Sequence, residues 1–88
     1  MKLKYNFITN EVAGKIVAVA VGESAGQFNG FIKMNDVGAQ IFELLKNEIT
    51  LDEIITEMLK KYPDATEEEA RETITEFTDK LIAQGVVE

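Results

Sequence analysis

FNGFIKMNDVGAQIFELL, residues 28–45, is where the chain changes its period. Up to Met34 it reads as a short third strand, in which Gly30 marks a bulge or a close backbone approach. From Val37 onward the apolar residues Val37, Ile41, Leu44 and Leu45 fall at i, i+4, i+7 and i+8, the spacing of one helix face. Asn35 or Asp36 stands ready as N-cap. Gly38, just inside the helix, costs about 1 kcal/mol relative to alanine, and close packing of another backbone is the simplest reason for it.

Upstream of this junction the pattern is that of strands. Leu3, Tyr5 and Phe7 alternate with Lys4 and Asn6, as in a half-buried strand, and Lys15 to Val21 forms a second strand. Val17, Val19 and Val21 make one of its faces, and Ile16, Ala18 and Ala20 the other. Residues 22–27, with two glycines and the only serine, read as a loop.

Downstream the pattern is helical. Thr50 with Glu53 forms a capping box, with Ile49 and Ile54 as its hydrophobic staple. Leu51, Ile54, Ile55, Met58 and Leu59 follow as a stripe that ends at Tyr62-Pro63. Thr66 with Glu69 is a second box, and Glu67, Glu68 and Glu69 suit the positive end of a helix dipole. Ala70, Ile74, Phe77 and Leu81 give that helix an inner face, and Gly85 stops it. Three strands followed by three helices predict an α+β fold, a small antiparallel sheet beside a three-helix bundle, in one domain over residues 1–88.

Composition narrows the chemistry. The 88 residues contain no cysteine and no histidine, which removes thiol nucleophiles, disulfides, thiolate metal sites and the usual base of a serine triad. Gly22-Glu23-Ser24-Ala25-Gly26 spells G-x-S-x-G, yet a nucleophile elbow needs a helix directly after the serine, and Gln27-Phe28-Asn29-Gly30 starts helices poorly. Ser24 is therefore expected to be structurally incidental. The three consecutive glutamates point in different directions on a helix, so they make no metal site and no cofactor is expected.

Net charge is −7, and all of it lies late in the chain: residues 1–49 hold five lysines and five acids, residues 50–88 four basic residues and eleven acids. An acidic surface repels phosphate backbones, so nucleic acid is not an expected partner. No apolar run approaches a membrane span and the N-terminus lacks the core of a secretory signal, so no membrane partner is expected and the chain reads as cytoplasmic.

The order of these pieces resembles the PqqD-like family of peptide chaperones, also called RiPP recognition elements. Met34-Asn35 stands where the family has Leu-Asn, a mild departure. Gly38-Ala39 matches its small pair, and Ile41-Phe42-Glu43-Leu44-Leu45 its first helix. Thr50 to Ile54 matches the second-helix start, Phe77 and Leu81 the third helix, and Gly85-Val86-Val87 the Gly-hydrophobic end.

The resemblance covers roughly residues 7–87. It implies a winged-helix-like domain that is not an enzyme. Such a domain binds the leader segment of a ribosomally made precursor peptide and presents it to a modifying enzyme, often a radical SAM protein. It also implies a site in which the guest adds as a strand to Gly30, Phe31, Ile32, Lys33 and Met34. Thr73, Phe77, Lys80 and Leu81 then form the opposite wall.

Elementary sheet physics agrees in one respect, because a short strand running straight into a helix leaves an unpaired edge that templates another strand. That edge also admits a second copy of the chain, as a homodimer. Two rivals come from other classes. A winged-helix DNA-binding regulator would need residues 66–84 as recognition helix, and these carry Arg71 and Lys80 against six acids. An acidic carrier-like protein would need a serine at a helix start, whereas Ser24 lies among strands.

Overall fold

The computed structural model describes residues 1–28 and 30–88; Asn29, inside the third strand expected over 28–34, lies outside the described residues. The elements run β1 (Phe7–Val12), β2 (Lys15–Ala20), a 3₁₀ turn (Gly22–Gly26), β3 (Phe31–Met34), α1 (Asp36–Leu44), α2 (Leu51–Lys61) and α3 (Glu67–Ala83). The three strands form one antiparallel sheet in the order β1-β2-β3, so β3 is an edge. The α+β arrangement is the one expected.

Strand β1 lies further along the chain than expected. The alternation at Leu3, Tyr5 and Phe7 is real, with Leu3 and Phe7 buried, but only Phe7 lies in the sheet, while Lys2 to Lys4 pair with the C-terminal tail. Leu3 bridges Val87, the Leu3 N–H donates to the Leu45 carbonyl at 2.8 Å, and the Lys4 N–H donates to the Val86 carbonyl at 2.7 Å. The strand inside the sheet begins where the alternation stops, and after Phe7 all its residues are exposed.

In β2 the small face is the inner one. Ala18 and Ala20 are buried, whereas Val19 is exposed, because α1 packs against the alanine side and leaves no room for branched side chains. The register places Ile8, Val19 and Phe31 side by side across the outer face.

Helix α1 is rotated relative to the expected stripe. Asn35 is the cap, its side chain accepting from the Gly38 N–H at 2.8 Å. Ile41, Phe42 and Leu45 are fully buried, and Leu44 is only half-buried. Phe42 turns inward because the aromatic floor meets it there: its ring stands edge-on to Phe7 at 5.3 Å, and Phe7 in turn meets Phe28 at 5.7 Å.

Both capping boxes form, and the Thr66 box holds the Glu69 carboxyl below the usual range because the Thr66 N–H donates to it. Helix α3 ends in a Schellman motif: Gly85 takes φ +74°, its N–H donates to Ile82, the Val86 N–H donates to Leu81, and Val86 and Leu81 are both buried.

Ser24 is structural, and it is not incidental. It is buried in the 3₁₀ turn, where its Oγ accepts the Asn6 N–H at 3.0 Å while the Val21 N–H donates to the Asn6 carbonyl at 2.9 Å. These two bonds tie the loop before β3 to the start of β1. Ser24→Ala strands a part-buried N–H, and should lower unfolding free energy by about 1–2 kcal/mol in a urea titration. An unchanged midpoint would show that solvent satisfies Asn6 just as well.

Candidate functional site

The open edge of β3 has a definite polarity, set by the hairpin before it. Ala13 and Gly14 have φ of 52° and 79°, a two-residue type I′ turn between Val12 and Lys15. Such a turn makes Val12 and Lys15 a hydrogen-bonded pair, and bonded and non-bonded pairs then alternate along the ladder. Val17 and Val19 therefore direct their backbone groups to β1, and Ile16 and Ala18 direct theirs to β3. Since Ile16 faces Met34 and Ala18 faces Ile32, those two residues of β3 pair inward. Phe31 and Lys33 turn their N–H and C=O groups outward.

Beside this edge lies a groove of about 430 Å³ against α3. Its lining includes Ile32, Lys33 and Met34 from β3, and Phe77, Lys80 and Leu81 from α3. A second hollow of about 260 Å³ adjoins it, sharing Asn35, Phe77 and Lys80 and adding Thr73, Glu76 and Gly38. Thus the predicted residues Ile32, Lys33, Met34, Thr73, Phe77, Lys80 and Leu81 come together along one channel.

The remaining two stand differently. Gly30 lines neither hollow; it has φ +107° and open space where a Cβ would stand, so a turn into β3, and no close approach, explains the glycine. Phe31 offers only its backbone to the edge. Its ring is 58 % exposed on the outer sheet face, with the Lys33 ammonium 5.6 Å from the ring centroid.

Phe77, expected on the inner face of α3, is half-buried at the margin, and Thr78 takes the buried position beside Ile74 and Leu81. The reason lies in Gly38. A Cβ there would stand 2.9 Å from Phe77 Cε1, so the glycine makes room for an aromatic ring and not, as expected, for another backbone. The ring is seated over α1 and forms the floor shared by both hollows.

Gly38→Ala should therefore push the Phe77 ring into the groove. Helix propensity gains about 1 kcal/mol, roughly the size of the strain, so the unfolding free energy should stay within about 1 kcal/mol of the parent while the Phe77 ring-proton shifts move. A loss above about 3 kcal/mol would show that the ring cannot yield.

Lys15, Asn35, Gln84 and Glu76 also line the channel and were not foreseen. Lys15 arrives through strand register and Gln84 through the length of α3, which no local pattern announces. On the opposite face of α3, Arg71 is engaged by Asp52 and Glu67 at 3.2 Å each. Such a helix offers little positive charge to a phosphate backbone.

Among the described residues, no helix is long and apolar enough to cross a membrane, and no three acidic residues are grouped to hold a metal ion.

The sequence matches the family described as coenzyme PQQ synthesis protein D (PqqD) over residues 16–87. No curated protein is matched. The fold is similar to that of TbiB1, solved in complex with the TbiA(beta) leader peptide, with a TM-score of 0.75 at 16% identity over 100% of this chain and 95% of that one. The matched family segment takes in the edge strand, the groove and all three helices, and the chain belongs to the PqqD family.

Proposed function

We propose that this protein is a non-catalytic module of the cytoplasm that captures the leader segment of a ribosomally synthesised precursor peptide and presents it to a modifying enzyme of the radical SAM class. The guest adds as a strand along β3 and lays alternate side chains into the groove against α3. The observation that carries this reading is the juxtaposition of an unpaired strand edge with a hollow lined by Ile32, Met34, Phe77 and Leu81. The leader peptide bound by the structurally similar TbiB1 supports it.

Magnitudes divide the labour between edge and groove. Phe31 and Lys33 each offer one N–H and one C=O, and a few such bonds at a net ~0.5–1.5 kcal/mol reach about 2–6 kcal/mol. Micromolar affinity needs about 8 kcal/mol beyond the ordering cost. The edge alone falls short of that, so apolar side chains buried in the groove, at about 1.5–3 kcal/mol each, must carry a large share of the binding. The edge sets register, and the groove sets selectivity.

An amide titration with the leader segment of a precursor encoded beside this protein tests the reading. The largest shifts should fall on residues 30–34 and 73–81, while the α2 residues 51–59 stay nearly still. An apolar cleft between α2 and α3, lined by Val37, Met58, Leu59, Tyr62 and Ile74, is the competing place. Shifts concentrated there, with β3 silent, would overturn strand addition. Concentration-dependent shifts of β3 without any peptide would instead identify a second copy of the chain as the occupant of the edge.

A further inference from the structure

We propose that the groove selects a guest with an acidic side chain next to its aliphatic anchor, read by Lys15, Lys33 and Lys80. The inference rests on the peptide-binding reading above and names the class of sequence recognised. It follows from where positive charge sits on an acidic protein. The chain has nine basic residues against sixteen acidic ones, and three of the nine line this one groove. Among the described residues, no aspartate or glutamate shares that lining, whose other members are Ile32, Met34, Asn35, Phe77, Leu81 and Gln84.

Among the described residues none of these lysines is held by a carboxylate, although the Lys33 ammonium rests by the Phe31 ring at the outer side of the edge. Among the described residues, Lys46 pairs with Glu43, Lys60 with Glu57, and Arg71 with Asp52 and Glu67, whereas Lys15, Lys33 and Lys80 make no ion pair. They approach from three elements. Lys15 opens β2, Lys33 lies on the edge strand with its ammonium by the Phe31 ring, and Lys80 stands in the last turn of α3, where the helix dipole favours a cation. Each has a structural reason to be tolerated there, but none explains the exclusion of carboxylates from the lining.

Glu76 lies in the adjoining hollow with Thr73, so the channel runs from a mixed end to a purely basic one. That gradient favours one direction for a guest strand. Its carboxylate sits by the lysines, and an aliphatic neighbour rests on Phe77 and Leu81. Exposed ion pairs are individually weak, so selection comes from three cations acting together and weakens with salt.

The test is a random dodecapeptide display library selected on the full chain, followed by synthesis of an enriched peptide. Enriched sequences should carry Asp or Glu at a constant offset from an aliphatic residue. Changing that acid to its amide should weaken binding about tenfold at low salt. The Lys15→Gln, Lys33→Gln, Lys80→Gln triple variant should lose the same factor, and combining the two changes should cost little more.

A second triple variant, Lys2→Gln, Lys4→Gln, Lys61→Gln, changes net charge equally at lysines outside the groove and should retain binding within about twofold. Equal losses in both triple variants would overturn the site and leave only general attraction. Enriched peptides that bind β3 without an acidic preference would overturn the inference while sparing strand addition. Enrichment of no peptide, or of peptides that leave β3 unperturbed, would overturn both.

Discussion

Phe42→Ala should leave this domain barely folded. The ring is 0 % exposed, packs edge-on to Phe7, and is the largest of the fully buried side chains. Truncating a buried phenylalanine costs about 3–5 kcal/mol through lost burial and the cavity left behind. Small domains hold a total of only about 5–15 kcal/mol, so much of that margin disappears. The effect should reach beyond α1, because Phe42 supports Phe7, and Phe7 with Tyr5 and Phe28 anchors the segment that leads into β3. Denaturant unfolding followed by far-ultraviolet circular dichroism measures it. A loss below about 2 kcal/mol would mean that neighbouring side chains collapse into the space.

The second large effect separates folding from binding by moving proline one position along β3. Ile32 is buried and pairs inward with Ala18, so Ile32→Pro removes a ladder hydrogen bond and a core side chain together. That should cost about 3 kcal/mol or more of stability. Lys33 turns its N–H to the open edge, where proline is tolerated, and Lys33→Pro should cost less than about 1 kcal/mol of stability. It should nevertheless weaken leader binding at least tenfold, since a donor to the guest is lost and the ring obstructs the incoming strand. Unfolding midpoints and calorimetric titration of the two variants read both quantities. Equal destabilisation by both prolines would mean that the backbone groups of β3 alternate with the opposite parity.

How much of this was legible without tertiary structure varies by element, and physical locality explains the variation. Capping boxes at Thr50 and Thr66, the stop at Gly85 and the helical stripe of α2 are encoded within about one turn of chain, and all are found where expected. The change of period around Met34 and Asn35 likewise sufficed for the order of strands and helices.

What depends on partners distant in sequence was not readable. Phe7–Val12 carries no apolar alternation and becomes a strand only because β2 pairs with it, while the start of the alternating segment, around Leu3, was claimed by the C-terminal tail. The inward turn of Phe42 and the seating of Phe77 over Gly38 depend on the rings and helices opposite them. The candidate site divides in the same way. Its apolar floor follows from local patterns in β3 and α3, but the outward parity of Lys33 and the arrival of Lys15 and Gln84 were decided by strand register and helix placement. A residue's neighbours along the chain determine which element it joins, and only the packing of whole elements determines which face it shows and what it meets there.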